Sequence, residues 1–172
     1  MKITLLLLLF VSFYSFSATA QKINCKDEKD PITGKRVIQS SYKDGDLIYK
    51  YEEGSDVIKV HWPIGYNLEQ NTSFSKGAEL VLKLQNGEII KLYSINEAMP
   101  ETSASIYGIV TRYTFIYDLT KEQLAKLASS PIVFSRYQTP TGGTKDEGPE
   151  VWGKRVQKIF SKLAQCIHDK IN

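Results

Sequence analysis

Leu80-Val81-Leu82-Lys83-Leu84-Gln85-Asn86-Gly87-Glu88-Ile89-Ile90-Lys91-Leu92-Tyr93 is the stretch that decides the fold class of this chain. Two short aliphatic runs flank Asn86-Gly87, a pair that accepts positive φ at both central positions of a two-residue type I′ turn. With that turn, Leu84 faces Ile89, Leu82 faces Lys91 and Leu80 faces Tyr93 on one side of a hairpin, while Val81 faces Leu92 on the other. Apolar pairs on both sides predict a hairpin inside a sheet rather than at its edge.

Strand signals continue in both directions. Upstream, Arg36 to Tyr42 alternates, Lys43-Asp44-Gly45-Asp46 reads as a turn, and Leu47, Tyr49 and Tyr51 share one face of the next run, which predicts a second hairpin. Val57 to Trp62 is a further strand with Ile58, Val60 and Trp62 on one side, and Pro63 is expected to end it. Downstream, Tyr107 to Tyr117 is the longest strand candidate. Tyr107, Ile109, Tyr113, Phe115 and Tyr117 form an aromatic-rich stripe interrupted by Thr111. Ile132 to Gln138 is another strand, and Thr139 to Pro149 reads as an exposed loop.

Two helices are expected. Thr120 followed three residues later by Gln123 is a capping box, with Leu119 and Leu124 placed as a hydrophobic staple. That helix runs to Ser129-Ser130-Pro131. From Val151 to about Ile171, Trp152, Val156, Ile159, Phe160, Leu163 and Ile167 recur at helical spacing beside a basic ridge of Lys154, Lys158 and Lys162, with Gly153 weakening the start. The prediction is an α+β fold: a mostly antiparallel sheet of about six or seven strands against a C-terminal amphipathic helix, with one short additional helix.

The first twenty residues have a different character. Met1-Lys2 opens on a positive charge, Leu5 to Val11 is an unbroken apolar run, and Ala18-Thr19-Ala20 places small residues where a signal peptidase reads. This is the pattern of a secretory signal peptide over residues 1–20, with a single secreted domain expected over 21–172. Ser12, Tyr14, Ser15 and Ser17 interrupt the apolar run too early for a membrane span, so no span is expected after cleavage. Cys25 follows Lys22-Ile23-Asn24, which does not fit a lipoprotein site.

Cys25 and Cys166 are the chain's two cysteines. In an oxidising compartment an even pair reads as a candidate disulfide, the alternative being two separate thiols. Cys166 falls at the margin of the last helix's apolar stripe, where it can meet the N-terminal segment. The formal net charge of +3 is near balance, and with export it argues against a nucleic-acid partner.

Chemistry is sparse. His61 and His168 belong to no local acid–base or metal motif, and no Cys-x-x-Cys occurs, so no catalytic residue, metal or cofactor is predicted. Thr139-Pro140-Thr141-Gly142-Gly143-Thr144 has some character of a phosphate loop but lacks its Gly-Lys-Ser/Thr ending. Asp27, Glu28 and Asp30, like Asp44 and Asp46, lack the spacing of a calcium loop and read as solvated turns. Asn71-Thr72-Ser73 matches a glycosylation acceptor. The candidate ligand-binding residues are Trp62 and Tyr66 in Trp62-Pro63-Ile64-Gly65-Tyr66. Either these rings are displayed on a loop for a glycan or protein, or Trp62 plugs the core and Tyr66 seals its rim, the commoner fate of such rings.

The export signal, Cys25-Lys26-Asp27-Glu28-Lys29-Asp30, the Thr33-Gly34-Lys35 turn and the Cys166-Ile167 ending resemble those of small uncharacterised secreted proteins of Bacteroidota-type bacteria. That resemblance implies secretion and carries no activity, so it assigns no functional residue. The expectation is a secreted or periplasmic non-enzymatic module that binds a protein or a glycan. A small secreted hydrolase with a site assembled from sequence-distant residues is the alternative.

Overall fold

The computed structural model describes residues 23–42, 47–66, 71–105, 108–139, 141–148 and 153–172. The expected signal peptide, the turn expected over 43–46, Tyr107 and Trp152 lie outside the described residues.

Among the described residues, ten strands form two antiparallel sheets. One has six strands, in the order β1 (Ile23–Lys29), β2 (Arg36–Tyr42), β3 (Leu47–Glu52), β4 (Val57–Tyr66), β8 (Gly108–Thr120), β7 (Glu101–Ser105). The other has four, in the order β10 (Thr144–Glu147), β9 (Ile132–Gln138), β5 (Glu79–Leu84), β6 (Ile89–Tyr93). Helices α1 (Lys121–Ser129) and α2 (Lys154–Ile171) pack on one another, and α2 also lies on β1, β2 and β3. The class is α+β with the C-terminal helix against the sheet, as the periodicities predict, but the strands are divided between two sheets.

One register row explains how the layers meet. Cys25, Ser40, Tyr49, Val60 and Tyr117 lie opposite one another across β1, β2, β3, β4 and β8, so their side chains share a face. The Ser40 hydroxyl donates to the Leu163 carbonyl of α2 at 2.8 Å, which fixes this as the face the helix covers. Tyr49, Val60 and Tyr117 are buried in the same core cluster as Ile159, Leu163, Ala164 and Ile167 of α2. In α1, Thr120 Oγ1 accepts the Gln123 N–H and Gln123 Oε1 accepts the Thr120 N–H, so the capping box forms, and Leu119 and Leu124 are both buried. The two sheets join where the chain leaves β6. Ser94 bridges to Tyr117, the Ile95 N–H donates to the Ile116 carbonyl at 2.8 Å, and Asn96 Oδ1 accepts the Ile116 N–H at 2.7 Å.

Several expectations are corrected. In the β5–β6 hairpin, the Leu84 N–H donates to the Glu88 carbonyl at 2.9 Å and the Gly87 N–H to the Leu84 carbonyl at 3.0 Å. The loop is therefore three residues, Gln85-Asn86-Gly87, with Gly87 at φ 89°. Leu82 faces Ile90 and Leu80 faces Leu92, all buried, while Ile89 and Tyr93 lie exposed on the other side with Lys91. A two-residue turn would have turned Lys91 toward the core, because a one-residue slip exchanges the faces of a strand. Ser130 Oγ and the Pro131 carbonyl hold the loop by accepting the Asn86 and Gln85 N–H groups. β5 is internal, but β6 is an edge, so the hairpin is not central.

Pro63 does not end β4, which runs on to Tyr66. The last pair with β3 is Ile48–His61, so at Pro63 β4 has β8 alone as a ladder partner and the missing N–H is tolerated. The charged run after Cys25 is strand β1, β7 precedes β8 where no strand was expected, and the expected loop over 139–149 contains β10. Helix α2 begins after Gly153, which serves as its N-cap.

Cys25 and Cys166 form a disulfide, with their Cα atoms 6.2 Å apart. One helical turn further along, Lys170 pairs with Asp27 at 3.2 Å, so β1 and α2 meet at two successive points. Among the described residues, no helix is long and apolar enough to cross a membrane.

Candidate functional site

The end of β4 and the first turns of α2 build a cleft. On β4, alternation sends Trp62, Ile64 and Tyr66 to the inner side, opposite Phe115, Tyr113 and Thr111 of β8. On α2, Val156 and Phe160 are one turn apart and share a face. The Trp62 and Phe160 ring centroids lie 4.9 Å apart, tilted by 41°. Tyr137 of β9 and Glu147 of β10 close the opposite wall. The cleft holds about 260 Å³ and is lined by Trp62, Pro63, Ile64, Gly65, Tyr137, Glu147, Val156 and Phe160.

Among the described lining residues, charge is concentrated at one point. The Tyr137 hydroxyl donates to Glu147 Oε1 at 2.7 Å, and Lys145 Nζ lies 3.2 Å from the same oxygen. The Glu147 side chain is only 19 % exposed. Burial first, and then the bond to Glu147, push the Tyr137 hydroxyl far above its ordinary pKa, so it remains a neutral donor.

The two sequence candidates are separated by the fold. Trp62 lines the cleft but is only 6 % exposed, its ring packed into the wall. Tyr66 does not line it. Its ring meets Tyr113 edge-on at 5.8 Å, and its shielded hydroxyl has no hydrogen-bond partner among the described residues. Burial, with Tyr113 and Glu147 adding to it, pushes that hydroxyl up to about 12. Neither ring stands on a loop, because β4 continues through both.

The other candidate groups lie elsewhere. His61 is on the opposite face of β4, between Ile48 and Ile116, and its pKa is lowered by burial and then by the charges of Lys50 and Lys59. His168 stands near the far end of α2 beside Asn172, about 18 Å along the helix from Val156. In the Thr139–Thr144 segment, the Thr139 N–H donates to the Gly143 carbonyl and the Gly142 N–H to the Thr139 carbonyl. Those amides close the loop on itself instead of presenting a phosphate cradle; Pro140 is outside the described residues. Asp27 is held by Arg36 and Lys170, and Asp30 caps its own turn by accepting the Ile32 and Thr33 N–H groups. Asp44 and Asp46 lie outside the described residues. Asn71, which heads the acceptor-like Asn71-Thr72-Ser73, is exposed.

Sequence reasoning missed Tyr137, Glu147 and the role of Val156 at the mouth, where it is 37 % exposed. Val156 carried one signal, a place on the α2 stripe at its poorly buried start. Glu147 carried none, since its position follows from the pairing of β10 with β9. No protein-family model, curated protein or solved structure matches the chain.

Proposed function

We propose that this chain is a non-enzymatic binding module of the periplasm or the extracellular space, and that it seats one side chain of a protein partner in the cleft between β4, β10 and the start of α2. The observation that carries this reading is the cleft's make-up. Among the described residues, Trp62, Ile64, Val156 and Phe160 form apolar walls around one carboxylate, in a volume below the roughly 300–1,000 Å³ usual for small-molecule sites. A socket of this size suits one anchoring side chain of an interface. The buried ring of Trp62 offers little platform for a sugar, which favours a protein over a glycan. The Cys25–Cys166 bridge is in keeping with an oxidising compartment. His61 stands on the other side of the sheet with lysines for electrostatic neighbours, which favours binding over hydrolysis.

The test is a titration with the partner recovered by affinity capture from the periplasmic or secreted fraction. Val156→Asp alters an exposed rim residue, and is expected to weaken affinity about tenfold or more with the melting temperature nearly unchanged. His61→Ala is expected to leave affinity unchanged. Wild-type affinity in Val156→Asp, or a turnover that His61→Ala abolishes in a folded protein, would overturn the reading.

A further inference from the structure

The Glu147 carboxylate specifies what enters the cleft, given the reading of that cleft as a side-chain socket. Both donors that reach Glu147, the Tyr137 hydroxyl and Lys145 Nζ, engage Oε1. Oε2 has no hydrogen-bond partner among the described residues, and the side chain is largely withdrawn from water. Oε2 is not one of the fully shielded unpaired polar atoms, so it meets water, and an occupant that displaces that water must replace it with a donor. Apart from Tyr137, the rest of the lining among the described residues carries no polar side-chain group except the Trp62 N–H, so an occupant must bring both a hydrocarbon stem and a donor head.

The chain already places one such head at this point. Lys145 Nζ lies over the Tyr137 ring, 5.7 Å from its centroid, while pairing with Glu147 Oε1. Ring and carboxylate thus form a seat that accepts an ammonium, and half of the carboxylate is left over.

We propose that the occupant is a lysine side chain of the partner, its four-carbon stem against Ile64, Val156 and Phe160 and its ammonium on Glu147 Oε2. A carboxylate-ended side chain would be repelled by Glu147. A purely aliphatic one would seal Oε2 away from water without a donor. An arginine fork is matched to two carboxylate oxygens, of which Oε1 is already taken twice, whereas an ammonium needs only one.

The experiment is an NMR titration of the disulfide-bonded protein with n-butylammonium, n-butylguanidinium, 1-butanol and butyrate, followed at Trp62, Ile64, Val156 and Phe160. Butylammonium is expected to bind about fivefold or more tightly than butyrate, and that preference should vanish in Glu147→Gln. Lys145→Met frees Oε1, and is expected to tighten butylammonium severalfold, an effect that a merely structural Glu147 would not produce. It also carries the test should Glu147→Gln fail to fold. Butyrate or butylguanidinium binding as tightly as butylammonium, or Lys145→Met leaving butylammonium unchanged, overturns the lysine assignment while the socket stands. If none of the four probes perturbs the cleft, the socket reading itself falls.

Discussion

Strands β1 and β10 are the same device built twice, with one difference. Each is a polar antiparallel strand at the edge of its sheet, and six of the seven β1 residues and three of the four in β10 are exposed. Each is gripped by a two-pronged Arg–Asp pair, Arg36 on Asp27 at 2.9 and 2.8 Å and Arg136 on Asp146 at 2.6 Å for both bonds. Neither buries an apolar side chain fully. β1 is also bonded covalently to α2 through Cys25–Cys166, whereas β10 relies on the Tyr137–Glu147 hydrogen bond at the cleft wall. An edge strand without an apolar face needs a substitute for core burial. Here one substitute is permanent and the other is reversible, and the reversible one borders the proposed binding site.

The comparison breaks most visibly at the disulfide. Replacing both cysteines by serine is expected to lower unfolding stability by about 4–5 kcal/mol, the chain-entropy value for so long a loop. Denaturant titration measures that loss, and hydrogen exchange should show β1 losing its protection first. A loss below about 1 kcal/mol would mean that the β1–β2 ladder and the Asp27 pairs hold β1 unaided.

How much of this was legible follows from where the information sits. The capping box of α1, the alternation of β2, the strand run of β9 and the apolar stripe of α2 are local patterns, and the structure returns them, with α2 beginning at Lys154 instead of Val151. The disulfide was legible because Cys166 sits on the margin of a strong stripe and has a single partner in the chain. β1 and β10 carry no alternation, since their side chains answer to an arginine on the neighbouring strand and, for β1, to a cysteine far along the chain. The β5–β6 register turned on whether Gln85 belongs to strand or loop, which the Ser130–Pro131 junction decides. The cleft draws on β4, β9, β10 and α2 at once, so Trp62 was visible as a ring but not as a wall.

A smaller effect tests the other half of the comparison. Tyr137→Phe removes a hydrogen bond to a sheltered carboxylate, and is expected to cost about 1.5–3 kcal/mol and to raise exchange in β10 without touching β1. Equal loosening of both strands would show that they are not independent.

Acid should separate the two edges more gently. Arg36, with Lys170, holds Asp27 below the usual carboxylate range, and Arg136 does the same for Asp146. Below the ordinary value near 4, the unfolded chain therefore binds more protons than the folded one. The stabilisation is complete above that pH and is lost as pH falls toward the depressed folded-state values. β10 is expected to loosen along this descent while β1 stays docked, because its disulfide does not titrate. Exchange measured at successive pH values checks the order, and simultaneous loosening would contradict it.

The smallest change is expected at His61, which belongs to neither edge. Its pKa is lowered by burial and then by Lys50 and Lys59, so the folded state resists its protonation and loses stability as pH falls below about 6.5. His61→Gln is expected to flatten that part of the melting-temperature profile and to leave β1 and β10 as they are.

The bridge that holds β1 has a mechanical consequence. Its two residues are 141 positions apart, so nearly all of the strands, helix α1 and most of α2 lie within one closed covalent ring. Fully extended, a chain of that length would reach roughly 480 Å. Tension applied from outside the ring passes through the sulfurs and leaves the sheets unloaded. A machine that unfolds proteins by drawing one end through a narrow pore would have to accept a doubled chain at Cys25 or first cut the bond. While the bridge is intact, the strand with the least hold on the core is the anchor that shields the rest from being pulled apart.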